Sequence, residues 1–149
     1  MGKKIKKIFK SGIFYLASAA LIALLFFNIS LAGCKTQESK PASITNVTAD
    51  EVSKMLLSSS KNYFLLDVRS KEEFDSGHIE GAYLLPVSEL ENRLAELPQD
   101  KPIIVYCRSG SRSTSAANIL LNKGFKEIFN MAGGITEWQS KGFPVIVEK

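Results

Sequence analysis

The chain has 149 residues, 45% of them hydrophobic and 23% charged, with a formal net charge of +4. Residues 1–33 hold five lysines (Lys3, Lys4, Lys6, Lys7 and Lys10) and no acid, so without them the 19 basic residues fall to 14 against 15 acidic. The basic character therefore belongs to the leader. No basic patch interleaved with aromatics follows it, which excludes a nucleic-acid binder, and the remainder is the size of one ordinary domain.

Lys3 to Lys10 form a positive stretch, and Ile13 to Phe27 a charge-free apolar core. Leu31-Ala32-Gly33-Cys34 follows, with small residues where a leader would be cut. This order resembles the lipobox of a bacterial lipoprotein. The resemblance implies a signal peptide over 1–33, cleavage before Cys34, and acyl chains on Cys34. Residues 34–43 then form the lipidated Cys and a polar tether, and the domain runs from 44 to 149. An uncleaved membrane anchor is the alternative, since the apolar stretch approaches the ~20 residues needed to span a bilayer. Either way the lysines stay inside, so the domain is expected outside the cytoplasmic membrane. The expected location is a bacterial cell envelope, on the outer side of the cytoplasmic membrane or in the periplasm. If Cys34 carries lipid, the other cysteine, Cys107, has no partner for a disulfide.

Downstream, short apolar runs alternate with amphipathic stretches. Ser43 to Val47 reads as a short edge strand. Thr48 caps a helix over Ala49 to Ser58, with Glu51 in capping-box spacing. Tyr63 to Val68 reads as a buried strand, and Ser70 to Asp75 as a short helix with Glu73 as its box partner. Ala82 to Leu85 is a third strand, ended by Pro86. Ser88 predicts a helix through Leu97, with Glu91 three on and Leu90, Leu94 and Leu97 at helical spacing. Pro102 to Tyr106 reads as a fully buried strand. A helix over Ser113 to Leu121 ends at Gly124. Phe125 to Met131 is the last strand, Gly133-Gly134 turns into a helix over Ile135 to Lys141, and Phe143 to Val147 closes the chain. Such alternation predicts an α/β domain with a parallel sheet covered on both faces. No repeat, P-loop or dinucleotide fingerprint interrupts it.

Cys107 is the candidate nucleophile. It stands at the carboxyl end of a strand, in the loop Arg108-Ser109-Gly110-Ser111-Arg112, at the mouth of a helix. Free backbone N–H groups, the helix dipole and two arginines there all favour an anion, so a thiolate should be well populated near neutral pH. Ligands bind parallel sheets at this end.

The domain resembles a single-domain rhodanese, a family of sulfurtransferases. The likeness rests on Asp67-Val68-Arg69, Glu73-Phe74, Gly77-His78-Ile79-Glu80-Gly81-Ala82, Pro86, the Cys107 loop, and Gly133-Gly134-Ile135 with Trp138 and Gly142. It implies a three-layer fold with a five-stranded parallel sheet. It also implies that Cys107 takes a sulfane sulfur from a donor such as thiosulfate or polysulfide and passes it, as a persulfide, to cyanide or a thiol. Arg108, Ser109, Gly110, Ser111, Arg112 and Ser113 would bind the substrate, the two arginines attracting an anionic donor. Asp67 and Arg69 would pair to brace the catalytic loop. His78, the lone histidine, is structural in this setting, and Trp138 is expected in the core or pocket wall. One histidine and one free cysteine make no metal site, and no cofactor is expected. A monomer is expected, with the membrane reached only through the lipid.

Two functional classes stay open: a sulfurtransferase with turnover, and a sulfur carrier or protein-binding module with little. A Cys-based phosphatase or arsenate reductase is disfavoured by the loop. Those enzymes place five residues between Cys and Arg, whereas Arg112 follows Cys107 after four and Ser113 holds the phosphatase Arg position.

Overall fold

The computed structural model describes residues 41–58 and 62–148. The expected signal peptide, and Cys34 as the expected site of acylation, lie outside the described residues. The elements run β1 (Ser43–Val47), α1 (Ala49–Leu57), β2 (Phe64–Asp67), α2 (Lys71–Asp75), β3 (Tyr83–Leu84), β4 (Ile103–Tyr106), α3 (Ser111–Asn122), β5 (Glu127–Met131) and α4 (Gly134–Ser140). The strands form one parallel sheet in the order β1-β5-β4-β2-β3.

Alternation along β2 and β4 sorts side chains to the two faces. Leu66, Ile103 and Val105 pack with Ala116, Ala117, Leu120 and Phe125 on one side. Leu65, Ile104 and Tyr106 pack with Val47, Val52, Ile135 and Trp138 on the other. All four residues of β4 are buried, as a central parallel strand covered twice requires. Each such aliphatic chain contributes about 1.5–3 kcal/mol by leaving water.

Local signals set the helix starts. Thr48 and Glu51 close a capping box on α1, and Ser70 and Glu73 close one on α2. Each cap stabilises its helix by about 1 kcal/mol. The expected helix over 88–97 does not form. Two single 3₁₀ turns, Leu90–Asn92 and Leu94–Glu96, stand there instead, broken at Arg93 with φ −123°. No side-chain cap forms at their starts, and Arg93 binds Glu89 and Glu96, while Tyr83 donates to Glu96. Leu90 and Leu97 still reach the core, so burial holds the segment where helix propensity does not.

The topology also places the site. The chain leaves β4 toward β5 but leaves β2 toward β3 on its other side. Adjacent strands whose connections diverge open a crevice at their carboxyl ends. Asp67 ends β2 there, and Cys107 follows β4.

Candidate functional site

Cys107 is 1% exposed at the head of a loop pressed against the chain behind it. The Cys107 and Arg108 carbonyls accept hydrogen bonds from the N–H groups of Ile135 (2.9 Å) and Thr136 (3.1 Å) in the first turn of α4. That approach needs Gly134, at φ +58°, because a Cβ there would lie 2.4 Å from the Arg108 oxygen. On the other side Gly110, at φ +95°, abuts the Ala132 carbonyl, which a Cβ would approach to 2.0 Å. Only glycine combines that backbone with no side chain. Held so, Gly110 points its N–H at the Cys107 sulfur, 3.1 Å away.

Burial pushes the Cys107 thiol up. The amide and hydroxyl of Ser113, then the amides of Ser109 and Gly110, favour the thiolate, outweigh the burial and leave the pKa below the ordinary thiol value. The amides and Ser113, rather than the two arginines, therefore lead in favouring the thiolate. Ser113 is fully buried; Ser109 and Ser111 are exposed at the loop surface.

The two loop arginines differ. Arg112 makes a bidentate ion pair with Glu73 of α2, at 2.5 and 2.7 Å. The guanidinium of Arg112 lowers the Glu73 carboxyl to about 2, against some opposing burial and with help from the Ser70 amide. The charge expected to attract an anionic donor is thus shared with a carboxylate 39 residues away in sequence. Arg108 is exposed and has no ion pair or side-chain hydrogen bond among the described residues.

Asp67 and Arg69 form a buried pair, 2.6 Å between Nη2 and Oδ2, with Arg69 Nη2 also donating to the Gly77 carbonyl at 2.9 Å. The Arg69 guanidinium lies over the Tyr106 ring, 5.6 Å from its centroid. The pair thus ties the end of β2 to the 77–79 turn and to the residue before Cys107. Among the described residues it makes no hydrogen bond with the loop, so its support reaches the loop through Tyr106 and the 77–79 turn.

A polar groove of about 410 Å³ opens beside the loop, lined by Arg69, Glu73, Gly77, Arg108, Thr136 and Gln139 among others. A second groove, about 420 Å³, lies by Lys101, Pro102 and Glu127 at the amino ends of β4 and β5. It is at the wrong end of the sheet for Cys107 chemistry. His78 is buried, stacked on Phe74 at 3.7 Å, with Nδ1 3.0 Å from the Phe74 carbonyl. Its backbone bridges Ile146 in both directions, so it fastens the last segment of the chain. Trp138 is buried and donates to the Pro144 carbonyl at 2.9 Å.

Sequence reasoning did not single out the partners of the loop: Glu73 opposite Arg112, Tyr106 beneath Arg69, and Thr114 and Asn130 behind Gly110. Glu73 was visible as a helix cap and as a landmark of the resemblance but not as a partner of Arg112, and polar residues inside a strand, such as Asn130, were the one available hint of the rest.

A thiol ringed by loop amides at the switch point of a parallel sheet defines a cysteine-centred group-transfer domain. The chain matches the family described as "Rhodanese-like domain" over residues 48–141, and it belongs to that family. It is 34% identical over 90 residues to a sulfurtransferase of Allochromatium vinosum, covering 60% of this chain and 84% of that one. It is 30% identical over 82 residues to the thiosulfate sulfurtransferase GlpE of Shewanella oneidensis, covering 55% and 81%. The crystal structure of a rhodanese-related protein from Thermoplasma volcanium superposes with a TM-score of 0.64 at 32% identity, over 70% of this chain and 99% of that one. Membership and these relatives support sulfur transfer in general as the chemistry of the fold.

Proposed function

We propose that the domain is a thiosulfate sulfurtransferase that carries sulfur as a Cys107 persulfide. The carrying observation is the Gly110 N–H aimed at the sulfur within a ring of amides that already lowers the thiol pKa. The thiolate attacks the outer sulfur of thiosulfate. The S–S bond of the donor breaks and sulfite leaves with its electron pair. Cyanide or a thiolate then attacks the outer persulfide sulfur, and Cys107 leaves as the thiolate, with no external oxidant or reductant. The loop amides of Arg108 to Ser113 can cradle the terminal sulfur as a nest. Arg108, uncommitted at the groove, would attract the anionic donor. The groove has the volume of about a dozen waters, room for a thiol acceptor. A loop of four residues between Cys107 and Arg112, with Arg112 held by Glu73, disfavours a phosphatase, whose arginine must be free for an oxyanion.

Mass spectrometry of the domain after thiosulfate treatment tests the reading. A gain of one sulfur, removed by cyanide and absent in Cys107→Ser, is expected. No gain from thiosulfate or polysulfide would sink it. Loading without cyanide turnover would turn the assignment to a sulfur carrier.

The domain would work at the outer face of a bacterial membrane, held by lipid on Cys34. The support is the leader order, ending in Leu31-Ala32-Gly33-Cys34 before a polar tether. Two or more acyl chains give stable anchoring. Labelling with a clickable fatty acid should mark the wild type and not Cys34→Ala; an unlabelled wild type that keeps residues 1–33 would point to an uncleaved anchor.

A further inference from the structure

Behind the sulfur lies a polar chain that the transfer chemistry does not by itself require. The Gly110 carbonyl is approached by three donors: the Thr114 N–H at 2.9 Å, the Thr114 hydroxyl at 2.8 Å and the Ser113 hydroxyl at 3.0 Å. A carbonyl oxygen has two lone pairs. The two Thr114 donors fill them, so the Ser113 hydroxyl is the surplus partner. Thr114 is itself held: Asn130 of β5 donates from Nδ2 to Thr114 Oγ1 at 3.1 Å, and to Asn46 Oδ1 of β1 at 3.0 Å. Accepting from Asn130 leaves the Thr114 hydroxyl proton for Gly110. Asn130 is buried, and its Oδ1 has no hydrogen-bond partner among the described residues. An orphaned buried acceptor costs about 1–3 kcal/mol, so an apolar residue would serve the strand better.

We propose that Asn130 and Thr114 are positioning residues which saturate the Gly110 carbonyl and so release the Ser113 hydroxyl to donate to the Cys107 thiolate. This rests on Cys107 being the working thiol. When Cys107 is protonated the Ser113 hydroxyl rests on Gly110. When it ionises, the hydroxyl turns to the sulfur at little cost, because Gly110 keeps two donors. The sulfur thus gains a donor only in the state that needs one. The residue whose N–H donates to the sulfur, Gly110, is the one whose carbonyl these donors anchor.

The pH midpoint of Cys107 alkylation by iodoacetamide reads this without any sulfur donor, so its failure is separable from failure to form a persulfide. Thr114→Val should raise the midpoint by about one pH unit, a tenfold loss of thiolate at fixed pH below it, on the scale of a hydrogen bond to a charged group. Asn130→Leu should raise it less, because Thr114 keeps its hydroxyl. Ser113→Ala should raise it as far as Thr114→Val, and the double variant should go no further, since both act through one donor. Thr114→Ser should restore the wild-type midpoint. Far-UV circular dichroism checks that each variant folds. If Thr114→Val folds and keeps the wild-type midpoint, or if the two shifts add, the proposal is overturned. Should Thr114→Val fail to fold, Asn130→Leu and Thr114→Ser decide it: an unmoved midpoint in the first or a raised one in the second overturns it.

Discussion

Glu73→Gln tests the cross-helix clamp. Glu73 joins α2 to the Cys107 loop through Arg112, and its carboxyl is lowered from 4.5 to about 2, first by that guanidinium. Complete linkage of such a fall would stabilise the fold by ~3 kcal/mol at neutral pH. The side chains are 31% and 37% exposed, however, so solvent screens the pair and ~1 kcal/mol is the realistic figure. The sign follows from the direction: a depressed carboxyl stabilises the fold above the unfolded-state value, and the stability is lost as pH falls from about 4.5 to about 2. Glutamine keeps the shape but has no charge to lose. Thermal unfolding of both proteins between pH 7 and pH 2 should show Glu73→Gln melting lower by about 4 °C above pH 5, on the usual scale for a domain of this size. The gap should close between pH 4.5 and 2. A gap that holds constant down to pH 2.5 would refute the ion pair as its source.

Arg108→Gln should raise the thiosulfate KM about tenfold with no change in melting temperature, because Arg108 has no ion pair among the described residues to lose. Arg112→Ala should do the reverse, lowering the melting temperature by an amount similar to Glu73→Gln with a smaller effect on KM; a KM loss confined to Arg112 would reverse these roles. Gly110→Ala should abolish persulfide formation in the mass assay, since its Cβ would fall 2.0 Å from the Ala132 oxygen at φ +95°; normal loading would show that the loop geometry is not needed. Arg69→Met leaves Asp67 buried and unpaired and should cost about 3–5 kcal/mol in urea unfolding, whereas the double change with Asp67→Leu should recover much of it.

The sequence alone determined the frame of this domain. Strand and helix alternation, the buried run before Cys107, and the boxes at Thr48 and Ser70 are local signals, written within a few residues of where they act. So was the setting of Cys107, because a thiol between a strand and a helix meets free amides whatever the rest of the chain does. The parallel sheet followed from the same pattern, and its observed order fits it. The tertiary structure decided what local spacing cannot carry. Ser88 to Leu97 has helical spacing and a box pair, yet its leucines are drawn to the core in two 3₁₀ turns, because burial outweighs weak propensity over a short span. Arg112 looked like a free cation until α2 brought Glu73 to it from 39 residues away. Thr114 and Asn130 meet behind Gly110 only because β5 lies beside β4, which sets α3 against it. Charge and hydrogen-bond partners depend on which elements become neighbours, and sheet order, not spacing along the chain, chooses those neighbours.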